Sequence, residues 1–171
     1  MSDEMTPREL AHAGVLGAAA LLLPTIFHLF HLGHVLLPMY LPLMVLPYLV
    51  SPRVAGLTAC MTPLLSALLT SMPPFYPPVA PCMALELGLM ALLASWLHGR
   101  VPRLGVFASL LPVLLLGRLF YFISFWGLVR LMALPATLLA SLSVSSGWPG
   151  ILLMLMVVPA VLRLWPRVGA R

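Results

Sequence analysis

The chain alternates long apolar runs with short polar or proline-rich breaks. The runs fall at about 10–30, 36–50, 54–71, 81–97, 104–129 and 148–165, and most approach the roughly 20 residues that a helix needs to cross a bilayer core. The second run is shorter and carries Pro38, Pro42 and Pro47. It is expected to be a broken or tilted helix supported by its neighbours, because irregular backbone at membrane depth must be buried in protein. The stretch 132–146 is apolar and then rich in Ser, and reads as an interfacial helix or a re-entrant segment. This pattern predicts an all-α membrane protein of about six transmembrane helices in a compact bundle. Its parts are an N-terminal tail at 1–9, a membrane domain at 10–166 and a basic tail at 167–171. No strong tandem repeat and no long soluble domain is visible.

Composition supports lipid as the solvent. Hydrophobic residues make up 62% of the chain and charged residues 8%, with a mean hydropathy of +1.10; a soluble domain carries about 25% charged residues. The net charge of +5 comes from nine Arg and no Lys. A basic balance in a soluble protein points to nucleic acid, but these Arg stand between apolar runs and read as topology signals instead. With the N-terminus inside, Arg8, Arg53, Arg100, Arg103, Arg163, Arg167 and Arg171 fall on the cytoplasmic side. Only Arg130 falls outside, and Arg118 lies within the membrane. Both termini are therefore expected in the cytoplasm. The acidic N-terminus and the lack of a clear small-x-small site argue against a cleavable signal peptide. Cys60 and Cys82 lie in or beside apolar runs and read as buried thiols, with a disulfide as the alternative.

Two charges stand inside runs otherwise suited to lipid: Glu86 in the fourth and Arg118 in the fifth. Asp3, Glu4 and Glu9 crowd the N-terminus, so Glu86 is the only acidic residue after position 9. A charge at membrane depth costs at least a few kcal/mol, and persists because it pairs or faces a polar cavity. Arg118 lies about 14 residues, roughly 21 Å, into an outward-running helix. Glu86 lies about one and a half turns from the outer end of an inward-running one. His28, His31 and His34 at the end of the first run and Tyr40 early in the second share that outer layer. The expectation is a pocket open to the outside, with Glu86, Arg118, Tyr40, His31, His34 and Tyr121 as candidate substrate-binding residues. Two readings of the charge pair stay open. Either Arg118 holds a carboxylate or carbonyl while Glu86 accepts from an N–H or hydroxyl, or the two form an ion pair that locks helices together.

Three other features carry candidate chemistry. His28, His31 and His34, spaced by three, can ligate a metal or haem iron, or form a polar cluster near water. The loop 72–78, Met-Pro-Pro-Phe-Tyr-Pro-Pro, is stiffened by four prolines. It reads as a lid bearing Met72, Phe75 and Tyr76, or as a rigid connector. Ala13, Gly14, Gly17 and Ala18 form overlapping small-xxx-small pairs on the first helix. That surface suits either a partner subunit or a neighbouring helix of the same fold. Hydrolase, zincin and phosphate-loop motifs are absent, so nothing predicts an enzyme or a cofactor, and any active pumping needs another subunit.

In its order of motifs the chain resembles the substrate-binding (S) components of energy-coupling factor (ECF) transporters. The resemblance rests on Leu-Pro-Met-Tyr-Leu-Pro-Leu at 37–43, Ser-Pro-Arg-Val-Ala-Gly at 51–56 and Thr-Pro-Leu-Leu-Ser-Ala-Leu-Leu-Thr-Ser-Met-Pro-Pro at 62–74. It continues in Met-Ala-Leu-Glu-Leu at 83–87, Gly117-Arg118 and Gly-Trp-Pro-Gly-Ile at 147–151. It implies a small multi-pass protein of a prokaryotic plasma membrane that captures a vitamin-like or other small micronutrient. Such a protein docks on a transmembrane coupling subunit with two ATPase subunits. The resemblance carries the pocket onto Glu86 and Arg118, with Tyr40 where relatives often have His, and the docking face onto the small residues of the first helix. Nickel and cobalt members have His at position 2; Ser2 argues against that subgroup. Capture of haem, another tetrapyrrole or a metal chelate through the His triplet, a lipid-modifying enzyme using Glu86 and a structural subunit are the alternatives.

Overall fold

The computed structural model describes residues 5–29, 37–101, 104–133, 135 and 147–165. Six α-helices occur among them: α1 (Pro7–Leu29), α2 (Tyr40–Val45), α3 (Pro52–Thr70), α4 (Val79–Arg100), α5 (Val106–Leu131) and α6 (Trp148–Leu164). A single 3-10 turn, Leu46–Tyr48, follows α2. No strand occurs among the described residues. The helical choice follows from composition, since backbone groups in lipid must be satisfied within their own segment. The chain is thus an all-α membrane protein, in which α1 (counted over 7–27), α3, α4 and α5 are long and apolar enough to cross a bilayer and α6 is a shorter apolar helix.

Local signals set the helix ends. α1 starts at Pro7, three residues earlier than the hydrophobic run suggests, because Thr6 and Glu9 form a capping box. Glu9 N donates to Thr6 Oγ1 at 3.2 Å and Thr6 N donates to Glu9 Oε2 at 3.0 Å. The other carboxylate oxygen accepts from Ser51 N at 2.6 Å, which ties the start of α1 to the start of α3. Pro52 then takes the first position of α3, where its missing N–H costs nothing. α3 stops at Ser71, whose backbone is left-handed with φ 58°, just before Pro73 and Pro74.

The second hydrophobic run does not form a long helix. Its described part is the six residues of α2 and one 3-10 turn, too short to cross the roughly 30 Å hydrocarbon core. It packs at the centre of the molecule instead: Leu43, Met44 and Leu46 are fully buried. Pro42 sits in the first turn of α2, and Pro47 forces the tighter turn that follows. The turn leaves the carbonyl of Pro47 without a helical partner, and the buried Ser95 hydroxyl of α4 donates to it at 3.0 Å. Tyr48 reaches the same end, with its hydroxyl 3.0 Å from Ser109 Oγ and its ring 5.1 Å from that of His98. The His12 ring meets Trp165 at 5.7 Å. These contacts gather the start of α1 and α3 and the end of α4 and α6 at one end of the bundle, which carries Arg8, Arg53, Arg100 and Arg163.

α4 is the central span, with 56% of its apolar window buried against 17% for α1. Its neighbours approach at glycines. A Cβ on Gly56 of α3 would come within 2.8 Å of Leu92, and one on Gly88 within 3.2 Å of the Cys60 Cβ. A Cβ on Gly117 of α5 would overlap the Met90 side chain. Small residues let helix backbones close up where lipid supplies no hydrophobic drive between them.

Gly117→Ala is therefore expected to lower stability by about 1–3 kcal/mol, as overpacking does. Gly99→Ala, which meets nothing within 4 Å, should leave stability undiminished or raise it by up to about 1 kcal/mol. Denaturant unfolding in detergent, with a Gly117→Ala and Met90→Ala double-mutant cycle, checks both; the double variant should recover part of the loss.

Candidate functional site: a buried charge pair beneath two tyrosines

Glu86 lies on the central helix α4 with no exposed surface. Cys82, Glu86 and Met90 recur at intervals of four, which places them on one stripe of the helix, and this stripe faces α5. Gly117 admits Met90 against the α5 backbone, and that close approach brings the next residue, Arg118, up to Glu86. Arg118 Nε stands 3.6 Å from Glu86 Oε1. The Tyr40 hydroxyl, at the first residue of α2, donates to Glu86 Oε2. The guanidinium also lies over two aromatic rings, at 4.9 Å from Tyr40 and 5.9 Å from Tyr121. Tyr121 stacks on Phe125 one turn further along α5, with ring centroids 5.9 Å apart.

The charges are only partly satisfied. Glu86 Oε1 and Arg118 Nη2 are buried and have no hydrogen-bond partner among the described residues. The ion pair at 3.6 Å is an electrostatic contact, not a hydrogen bond. Arg118 keeps 24% of its side-chain surface. A Cβ added at Gly147, the residue before α6, would lie 3.7 Å from both Arg118 Nη1 and Leu37 Cδ1. Leu37 and Gly147 therefore flank the guanidinium.

The structure brings Tyr40, Glu86, Arg118 and Tyr121 together. His31 and His34 lie outside the described residues, and so does the side chain of His28, whose backbone belongs to the last turn of α1. Among the described residues no group of three or more His, Cys, Asp or Glu could hold a metal ion. Met72, Phe75 and Tyr76 are exposed rather than folded over the pair, at 54%, 46% and 68%. Their loop is held by hydrogen bonds from Ser66 Oγ to Met72 O at 2.7 Å and from Ala80 N to Pro74 O at 3.0 Å. The small residues of α1 divide between two faces. Ala13 packs on the core and a Cβ on Gly17 would touch Thr58, whereas Gly14 has open space and Ala18 is exposed. Cys60 and Cys82 are both free thiols.

Sequence reasoning missed Leu37, Met90 and Gly147 as neighbours of the pair. Met90 had a signal, since it follows Glu86 by four; Leu37 and Gly147 come from connections and had none. A cavity of about 590 Å³ also escaped it. That cavity lies between α3 and α4, lined by Gly56, Leu57, Cys60, Gly88 and Leu92, and does not reach the charge pair. Leu57 and Leu92 are exposed, so it belongs to the apolar outer surface.

The family profile "ECF transporter, substrate-specific component" matches residues 8–162. The chain belongs to that family. It is the substrate-binding subunit of an ECF transporter, a membrane component that works with a small-molecule substrate and an ECF module. No curated protein and no solved structure matches it significantly.

Removing one partner of a buried ion pair leaves the other uncompensated. Arg118→Met is expected to cost about 3–5 kcal/mol, and Arg118→Met together with Glu86→Leu to regain most of it. A double-mutant cycle by denaturant unfolding in detergent measures the difference.

Proposed function

We propose that the chain captures a small micronutrient at the Tyr40, Glu86, Arg118 and Tyr121 site and delivers it to a separate coupling module. The observation that carries this reading is the pair of unmet polar atoms, Glu86 Oε1 and Arg118 Nη2, buried at the centre of a substrate-binding component. A purely structural pair would gain by closing into a bidentate hydrogen-bonded contact. Here the Tyr40 hydroxyl engages Glu86 Oε2 and the ring faces meet the guanidinium, with a donor and an acceptor left for a third group. The role is binding, not catalysis. His31 and His34, in the same layer by sequence and counted as neutral, complete the proposed site, and the 72–78 loop with Met72, Phe75 and Tyr76 is its rim.

The arginine distribution supports a cytoplasmic position for the end bearing Arg8, Arg53, Arg100 and Arg163. The membrane domain at 10–166 then makes about six crossings of a prokaryotic plasma membrane, with the short tails 1–9 and 167–171 inside. In this arrangement the central α2 segment is carried by its neighbours instead of facing lipid. The module it meets comprises a transmembrane coupling subunit and two ATPase subunits. α1 is the docking helix: it is the least buried span, and Gly14 and Ala18 offer backbone-close approach on the face that the fold leaves open.

Native mass spectrometry of the chain purified in lipid nanodiscs should show a stoichiometric small metabolite that Arg118→Met abolishes. Affinity capture of an ECF module should fall at least about tenfold in Gly14→Leu and Ala18→Leu, since a GxxxG-type contact tolerates no bulk. Those two variants should unfold like wild type. A chain that carries no metabolite and captures no module overturns the reading; capture untouched by either leucine moves docking off α1.

A further inference from the structure

We infer that the site takes an uncharged, planar ligand edge in which an N–H donor lies beside a carbonyl acceptor, as in a lactam, carboxamide or ureide. The N–H donates to Glu86 Oε1 and the carbonyl accepts from Arg118 Nη2. The inference rests on the capture reading above and names the class of molecule captured.

The unmet atoms fix the polarity of the ligand. Glu86 Oε1 is an acceptor and Arg118 Nη2 a donor, and each is buried without a hydrogen-bond partner among the described residues. Nη2 shares its guanidinium carbon with Nε, which stands 3.6 Å from Oε1. The two therefore address neighbouring atoms of one ligand edge. Glu86 Oε2 is already engaged, since it accepts the Tyr40 hydroxyl, and the Tyr40 ring supports the guanidinium. A ligand with a donor alone would leave Arg118 unmet, and one with an acceptor alone would leave Glu86 unmet. Each failure carries the full cost of an unsatisfied buried group.

Charge fixes the rest. Glu86 and Arg118 sum to zero. A carboxylate ligand would leave one uncompensated negative charge in the interior, and an ammonium one positive charge. Among the described residues the contacts of the pair from Tyr40, Tyr121, Leu37 and Gly147 bring no charge to offset either case. An uncharged ligand leaves the site neutral. Planarity follows from the ligand group itself, since an N–H beside a carbonyl belongs to an amide-type plane. Leu37 and the bare backbone of Gly147 flank the guanidinium. Leu37 holds a left-handed backbone at φ 50°, a conformation that a leucine disfavours and that clusters at ligand clamps.

The test uses four probes on one ring: benzamide, benzoate, benzylammonium and N,N-dimethylbenzamide, which keeps the carbonyl and lacks the donor. Binding to the full chain in nanodiscs is ranked by saturation-transfer NMR for wild type, Glu86→Gln and Gly147→Leu. Benzamide should bind wild type about tenfold or more tightly than each of the others, because a site built to hydrogen-bond a group rejects analogues without it. In Glu86→Gln the unpaired Arg118 should reverse the order and favour benzoate. Gly147→Leu, which sets a side chain against Arg118 Nη1 and Leu37, should abolish binding of all four.

Benzoate or benzylammonium ranked first in wild type, with sensitivity to Glu86→Gln and Gly147→Leu, overturns the ligand class and leaves the capture site standing. Equal binding of benzamide and its dimethyl analogue overturns the donor contact and with it the inference. Binding indifferent to both substitutions, or no binding by any probe, overturns the inference as well. Failure of the capture reading itself is read separately, from the absence of a co-purified metabolite and of a captured ECF module.

Discussion

Glu86 is the constraint around which the molecule is arranged. A carboxylate with no exposed surface, on the most buried span of a membrane protein, persists only with charge and hydrogen bonds supplied from elsewhere in the fold. Each supplier arrives on a different element. Arg118 comes from α5, and its reach depends on Gly117 letting α5 close on Met90. The Tyr40 hydroxyl comes from α2, which stands in the interior only because proline interrupts its run. Three helices are thereby fixed relative to one another by one side chain. Packing among apolar side chains would not specify that arrangement so sharply, since in lipid an apolar face costs little wherever it points.

The broken second run shows the same logic for the backbone. Irregular chain at membrane depth needs its carbonyls answered. Ser95 answers Pro47, and the long apolar helices then screen α2 from lipid. The break serves the site as well. A continuous helix through 36–50 would have presented its side chains around a full circle. The short one sits with Tyr40 at its first residue, so a single phenol points at Glu86 and its ring lies beneath Arg118.

Much of this was legible in the sequence, for physical reasons. The solvent was legible because 8% charged residues cannot cover a soluble surface. The pairing of Glu86 with Arg118 was legible because each was the lone charge deep in its own run, and neither survives there alone. The shortness of the second run followed from its prolines. Other features were not legible. Nothing in an Ala-Gly-Gly-Ala pattern tells which of two adjacent faces meets Thr58 and which stays open, because 100° of helix rotation leaves composition unchanged. Leu37 and Gly147 reach the site from connections, where no periodicity operates. The groove between α3 and α4 depends on how far two backbones approach at Gly56 and Gly88, a distance that no residue pattern encodes.

The cluster also bears on why a membrane subunit would keep a costly pair that an apolar pair of similar volume could replace. If stability were the sole requirement, the unmet oxygen of Glu86 and the unmet nitrogen of Arg118 would be faults, each a lost hydrogen bond in a dry interior. They are better understood together. In the capture reading proposed above, an acceptor and a donor at neighbouring positions form half of a hydrogen-bonded array whose other half no described residue supplies. A ligand that supplies it recovers interactions already prepared by the fold, and the protein reorganises little to receive it. The same incompleteness makes release possible: the pair can exist without its ligand because Tyr40, the ring faces and the mutual charge keep the empty site tolerable. For a subunit proposed to bind on one side of a membrane and let go on the other, a site satisfied by the ligand but not ruined by its departure is the useful compromise.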